Sequence, residues 1–148
     1  MNAAYFLTPR SDVGFLYDDF TVRQGLEKLK RSGFTALPVV TRKNQYVGTV
    51  SEGDFLWYLV ENPKREQPTV PRPIHELESV TVKDVLPIDR NPPLRITAAV
   101  PELVLRAMNQ NFVPIIDDLG SFIGIVTRKD IIRYFYGTHT ELPKKEII

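Results

Sequence analysis

The apolar positions of the chain run through one succession of periods twice. In the first pass Val22, Leu26 and Leu29 fall at i, i+4 and i+7, with Arg23, Glu27, Lys28, Lys30 and Arg31 at the positions between. That spacing predicts an amphipathic helix. Gly33 follows and supplies a left-handed stop. A short unbroken apolar run, Ala36 to Val40, then reads as a buried strand. Its Pro38 has no ladder donor, so it belongs at a strand's start or edge. Arg42-Lys43-Asn44 makes a turn, and a second strand returns through Tyr46 to Val50, closing a hairpin. A second helix begins at Ser51 and carries Phe55 to Val60, apolar nearly all round.

The second pass repeats the order. Leu103, Val104, Ala107 and Met108 form the helical stripe, with Asn109 as its stop. Phe112 to Ile116 is the apolar strand, Asp117-Asp118-Leu119-Gly120 the turn, and Phe122 to Val126 the returning strand. Thr127 opens the last helix, which carries Ile131, Ile132, Tyr134, Phe135 and Tyr136. The proline, the glycine, the hydroxyl residue and the aspartate of the two passes are each separated by 76 residues. Four matches at one ungapped offset identify an internal repeat. Upstream, Val13 to Leu16 and Leu94 to Ile96 add a candidate third strand to each copy.

The repeat divides the chain into residues 1–61, a proline-rich linker over 62–78, a second copy over 79–138 and a tail over 139–148. Pro63, Pro68, Pro71 and Pro73 deny the linker both helix and ladder bonding. A unit of some sixty residues buries little surface by itself. The expected fold is therefore α/β of the α+β type, with the two copies packed about a pseudo-two-fold axis. A helix without a polar face is covered on more than one side. One side of each second helix can face its own sheet; the other calls for the sister repeat or a second chain, so a homodimer is expected.

Composition narrows the function classes. The 148 residues carry nineteen Lys+Arg against eighteen Asp+Glu, a formal charge of +1. A nucleic-acid partner is not expected from so even a balance. There is no cysteine, which removes disulfides, thiolate nucleophiles and Cys-ligated metals, and fits a reducing compartment. The first residues have no early Lys or Arg and only a five-residue apolar stretch, Ala3 to Leu7, unlike a secretory signal. The longest aliphatic-aromatic run is six residues, Phe55 to Val60, against the ~20 that a membrane helix needs. A soluble, cytoplasmic protein is expected.

The chemistry concentrates in Gly48-x-x-Ser51-x-x-Asp54 and Gly124-x-x-Thr127-x-x-Asp130. A hydroxyl followed three residues later by an acid approximates a capping box, which explains the pair without any ligand. The same helix start presents amides and positive potential that can receive phosphate. A carboxylate one turn in is an acceptor for two vicinal hydroxyls, as in dinucleotide sites. An apolar cleft beside the strand would take a flat base, with backbone near Ala36 and Leu37, or Phe112 and Val113, reading its edge. Together these groups make a candidate nucleoside-phosphate site.

The doubled pattern, an apolar residue, Pro-Val-Val or Pro-Ile-Ile, then Gly-x-x-[Ser/Thr]-x-x-Asp and an apolar helix, resembles the CBS domain. Two copies resemble the CBS pair, or Bateman module, from about Phe6 to about Tyr136. The resemblance implies tandem βαββα repeats and clefts that bind adenine-containing ligands: AMP, ADP, ATP, S-adenosylmethionine or cyclic dinucleotides. It implies that Ser51 with Asp54 and Thr127 with Asp130 contact phosphate and ribose, and that the base lies near Ala36 and Leu37 or Phe112 and Val113. It further implies a regulatory module acting on a separate partner, with no catalytic residue, no metal and no required cofactor. The alternative is a CBS-type scaffold that binds nothing and works through dimer and protein contacts.

The copies differ between hydroxyl and acid: Glu52-Gly53 in the first, Arg128-Lys129 in the second. Cations at a helix N-terminus oppose its dipole. Arg128 and Lys129 therefore read as an anion-binding pair, unless they are plain solvated charges, and the second copy is expected to hold phosphorylated ligand more tightly. Arg10, Arg90 or Arg95 could correct the deficit in the first. His75 and His139 are too isolated for a metal site. Asp18-Asp19 and Asp117-Asp118 could flank a magnesium site, but more often such pairs are turns. Trp57 could stack on a base but reads first as core or dimer interface, and Arg42-Lys43 is a hairpin turn that needs no partner. No nucleophile–base or metal constellation can be assembled, so an enzyme is not expected.

Overall fold

The computed structural model describes residues 1–60 and 77–137. His75, His139, the four linker prolines and the tail lie outside the described residues. The described residues form two compact units: those within Gly14–Pro92 together with Gly120–Phe122, and those within Met1–Val13, Pro93–Leu119 and Ile123–Ile148. We call them the first-repeat and second-repeat units. Both mix α and β, as the alternating periods predict.

In the first-repeat unit, β2 (Leu16–Tyr17), β3 (Ala36–Val40) and β4 (Tyr46–Ser51) form a sheet in the order β2-β3-β4. β2 pairs parallel to β3, and β3 antiparallel to β4. Helices α1 (Val22–Ser32), α2 (Glu52–Val60) and the single turn α3 (Val82–Val85) complete it. The periodic residues close the core: Leu16, Val22, Leu29, Leu37, Val39, Val50, Phe55 and Val82 are buried together. α1 starts where the Thr21 hydroxyl accepts from the Gln24 amide at 3.1 Å and Gln24 Oε1 accepts from the Thr21 amide at 2.8 Å, a capping box. It ends at Gly33, left-handed at φ 74°.

The second-repeat unit carries a four-stranded sheet, ordered β1 (Thr8–Pro9), β7 (Phe122–Thr127), β6 (Phe112–Ile116) and β5 (Leu94–Arg95). α4 (Val100–Ala107) and α5 (Arg128–Gly137) pack on it. Its core joins Leu94, Leu103, Val113, Ile115, Val126 and Ile131 to Ala3 and Phe6. Residues 1–13, grouped with the first repeat on sequence, thus lie in the unit of the second. The bond is specific: Thr8 pairs Ile125 and Pro9 pairs Gly124, antiparallel.

Two local expectations take a different physical form. Pro38 lies in the middle of β3, which has a neighbour on each side. The two-residue β2 pairs only with Val39 and Val40, so no ladder slot on that side requires the missing N–H. Pro114 stands in the same relation to β5, whose partners are Ile115 and Ile116. α4 ends at Ala107, and Met108 stays right-handed. Bonds from the Met108 amide to Val104 and from the Asn109 amide to Arg106 tighten the last turn, so Asn109 needs no left-handed conformation. The second helices begin at Glu52 and Arg128, one residue after Ser51 and Thr127, which end β4 and β7.

Candidate functional site

Each unit places its hydroxyl and its acid where a strand turns directly into a helix. In the first-repeat unit Ser51 ends β4 and pairs with Ala36, the first residue of β3; Leu37 pairs with Val50. The groups expected to meet phosphate and base edge therefore lie on two adjacent strands, and Asp54, expected to meet ribose, lies in the first turn of the helix that follows. The Ser51 hydroxyl accepts from the Asp54 amide at 3.2 Å, and Asp54 Oδ2 accepts from the Ser51 amide at 2.7 Å and its hydroxyl at 3.0 Å. This is the reciprocal capping box. The Glu52 amide donates to the Thr35 carbonyl at 2.9 Å. Two of the three amides that open α2 are therefore engaged within the protein, and less of the helix end is left for an anion.

Arg90 joins this cluster from 36 residues downstream of Asp54. Its Nη1 donates to Ser51 Oγ at 3.0 Å and to Asp54 Oδ2. The Asp54 side chain is 12% exposed, that of Arg90 39%. Tyr46, at the start of β4, donates its hydroxyl proton to the Asn91 carbonyl at 2.8 Å. Its phenol oxygen then accepts from the Thr49 hydroxyl, also at 2.8 Å, because a carbonyl cannot donate. Burial pushes the Tyr46 phenol up to about 12, against a smaller opposing effect of the Thr49 bond.

In the second-repeat unit Thr127 Oγ1 accepts from the Asp130 amide at 3.1 Å, and the Arg128 amide donates to the Asn111 carbonyl at 2.9 Å. The backbone arrangement of the first unit is repeated. Val113 is fully buried and Phe112 partly so, at the start of β6. The side chains differ. Among the described residues no cation reaches the Asp130 carboxylate. Arg128 Nε donates to the carbonyl of Ala107, the last residue of α4, at 2.6 Å. A cation at a helix C-terminus is favourable, so Arg128 has a structural task that its place beside Thr127 does not foretell. With Asn111, Lys129, Ile132 and Arg133 it also lines a concavity of about 520 Å³. The cation in hydrogen-bond reach of a hydroxyl–acid pair is therefore Arg90, in the copy whose local sequence looks anion-repelling. Arg95 instead faces Asp118 at 3.4 Å on the surface.

The remaining candidates settle into structural tasks. The Asp117 carboxylate accepts from the Leu119 amide at 2.9 Å, an Asx turn. Arg42 does have a partner: Nε and Nη2 donate to the two Asp19 oxygens at 2.8 and 2.9 Å, with the guanidinium 3.9 Å over the Tyr17 ring. That hydrogen-bonded pair holds the Asp19 carboxyl below its ordinary range. Among the described residues, no group of three His, Asp or Glu could hold a metal. No described helix is long and apolar enough to cross a membrane.

The model of the CBS domain matches residues 6–61 and again 79–137. An uncharacterised protein of Methanopyrus kandleri, MK0525, is 26% identical over 121 residues, covering 80% of this chain and 57% of that protein. The chain thus spans little more than half the length of that relative. Among solved structures, CbpB in complex with c-di-AMP superposes with a TM-score of 0.80 at 24% identity, over 93% of this chain and 85% of the other. CBSX2 in complex with AMP superposes with a TM-score of 0.72 at 24% identity, over 94% and 98%. CBSX2 is also known from Arabidopsis thaliana without a named ligand, with a TM-score of 0.73 at 23% identity over 93% and 95%. At these identities the likeness is one of fold. Two matched copies of one domain, each ending in the same strand-to-helix hydroxyl–acid pair, make this chain a member of the CBS-domain family.

Proposed function

We propose that the protein is a regulatory module that binds an adenine nucleotide at its strand-to-helix junctions and signals to a separate protein. The observation that carries this reading is the recurrence of one arrangement in both units. A hydroxyl and a carboxylate, three residues apart, face the start of the adjacent strand, at Ser51, Asp54 and Ala36 and at Thr127, Asp130 and Phe112. Capping explains a hydroxyl and an acid in each copy; the supply of a sugar-diol acceptor next to strand backbone suits a nucleotide as well. CbpB with c-di-AMP and CBSX2 with AMP, which share the fold, lend support. CBS pairs are in general regulatory rather than catalytic, and no residue here is assigned a catalytic role. The lack of cysteine suits a reducing, cytoplasmic setting.

The experiment is a thermal-shift titration with AMP, ATP, S-adenosylmethionine and cyclic di-AMP. A ligand at ten times its dissociation constant adds about 1.4 kcal/mol of stability. That gain should shrink in Ser51→Ala/Asp54→Ala and in Thr127→Ala/Asp130→Ala. The competing reading, a scaffold without ligand, draws support from one observation: Asp54 and two α2 amides already have partners inside the protein. Failure of all four compounds to shift the melt at millimolar concentration would decide for the scaffold.

The same reading expects a homodimer. α2 buries Phe55 but leaves Leu56 54% and Trp57 58% exposed, and α5 buries Ile131 while exposing Ile132, Phe135 and Tyr136. Adjacent large apolar side chains on a helix face mark an interaction surface. Leu56→Glu/Trp57→Glu should convert a sedimenting dimer to a folded monomer. An unaltered sedimentation coefficient in that variant would rule out this face as the contact.

A further inference from the structure

We propose that Arg90 makes the first-repeat site selective for phosphorylated ligands. It holds Asp54 and leaves it only when a phosphate offers a better partner. The inference rests on the reading of Ser51 and Asp54 as a nucleotide site.

The acid of the site is engaged within the protein. Asp54 Oδ2 accepts from the Ser51 amide, the Ser51 hydroxyl and Arg90. A carboxylate oxygen has two lone-pair sites, so this oxygen is saturated. A ribose diol that uses both carboxylate oxygens has to displace one donor. The Ser51 amide and hydroxyl are built into the strand end. Arg90 is the donor that comes from elsewhere, on a long, partly exposed side chain.

Its backbone is arranged to deliver it. The residues on either side, Asp89 at φ 59° and Asn91 at φ 51°, are both left-handed without being glycine. Such conformations are disfavoured for any residue with a Cβ, least for Asp and Asn. The Tyr46 hydroxyl holds the far end of the turn through the Asn91 carbonyl. A turn bent twice against its preference and tied to β4 places one guanidinium nitrogen on Ser51 and Asp54 at once.

The ligand's chemistry decides whether Arg90 can be moved. A nucleoside replaces a charge-assisted contact on a nearly buried carboxylate with neutral hydroxyl donors and gives the guanidinium nothing. A nucleotide replaces the same contact and also offers Arg90 a phosphate, which its planar fork fits. The Glu52 and Asp54 amides are already bonded, so the helix start supplies little of that recognition. Arg90 Nη1 is 3.0 Å from Ser51 Oγ, the hydroxyl that the proposed function assigns to phosphate. In the second-repeat unit no described cation holds Asp130, so its site lacks this filter.

The test is calorimetric titration with AMP and with adenosine in a Thr127→Ala/Asp130→Ala background, which leaves the first site. AMP should bind about tenfold to a hundredfold more tightly than adenosine, the worth of one or two charge-assisted bonds. Arg90→Ala should collapse that ratio toward one, by weakening AMP while adenosine holds or improves. Arg90→Lys, with the charge but not the fork, should fall between. If Arg90→Ala does not fold, Arg90→Gln carries the same expectation. Equal losses for AMP and adenosine in a folded variant would overturn the inference and leave the nucleotide site standing. No AMP binding to the wild-type chain would overturn the inference, and the nucleotide reading falls with it only if ATP, S-adenosylmethionine and cyclic di-AMP fail as well.

Discussion

Gly124→Ala is expected to cost the fold about 3 kcal/mol or more, read as a fall in the urea midpoint without loss of the first-repeat core. A Cβ at Gly124 would stand 2.1 Å from the Thr8 carbonyl oxygen and 3.1 Å from Pro9 Cα. Both are backbone, in the strand that pairs with β7 at this residue. Neither can turn aside as a side chain could. The backbone also has φ 154°, a conformation that L side chains resist. Gly48, at φ 156° in the other copy, meets only the branched end of Leu86 at 3.0 Å, so Gly48→Ala should cost less. Gly53→Ala puts its Cβ 3.6 Å from Ser51 Oγ, ordinary contact in a helix's first turn, and should be neutral or slightly stabilising. The order Gly124, Gly48, Gly53 is the informative result. A Gly124→Ala protein within about 1 kcal/mol of wild type would mean that β1 does not rest on β7. The glycine that opens each repeated motif is thus explained by packing.

What the sequence shows of this molecule follows from how far each interaction reaches. The strands Ala36–Val40 and Phe112–Ile116 were legible to the residue because an apolar run with a proline and a turn behind it has few other foldings. Ser51 with Asp54, and Thr127 with Asp130, were legible because capping acts across three residues. The third strand of the second copy was legible in place, at Leu94–Arg95, whereas that of the first, expected over Val13 to Leu16, runs over Leu16–Tyr17 and shares only Leu16 with the expectation. Residues 1–13 were not, since nothing periodic in them says which sheet they join; a two-residue pairing to Gly124 and Ile125 decides it. Arg42 looked idle because its partners, Asp19 and Tyr17, are more than twenty residues away. The bond of Arg128 to Ala107 was not legible because that carbonyl lies at the end of another helix. Arg90 could be named only as one of three candidate cations. What singles it out is a turn whose left-handed residues, Asp89 and Asn91, leave no periodic trace.

Tyr46 should make stability fall by about 2 to 3 kcal/mol between pH 10 and 12, and Tyr46→Phe should remove most of that dependence. An unfolded tyrosine ionises near pH 10, whereas burial carries the folded Tyr46 up to about 12. Below pH 10 both states hold the phenolic proton, and the full stability is present. Above it the unfolded chain releases its proton first, so unfolding becomes progressively easier until the folded phenol also ionises near 12. The physical origin lies in the bonds already described. The phenol gives its proton to the Asn91 carbonyl and takes one from the fully buried Thr49. Ionisation would leave a charge in a mostly apolar setting and set a carbonyl oxygen against an anion. The phenylalanine variant keeps every other titratable group, so the difference between the two proteins isolates Tyr46. Urea unfolding at pH 9, 10, 11 and 12 for both proteins measures the difference; parallel curves would show that Tyr46 is not buried as described. The same variant tests the turn. Without the hydroxyl, Asn91 loses its tie to β4, and Arg90 should be held less firmly on Asp54, so that adenosine gains on AMP at neutral pH. One residue outside the repeated motif then links the stability of the unit to the selectivity of its site.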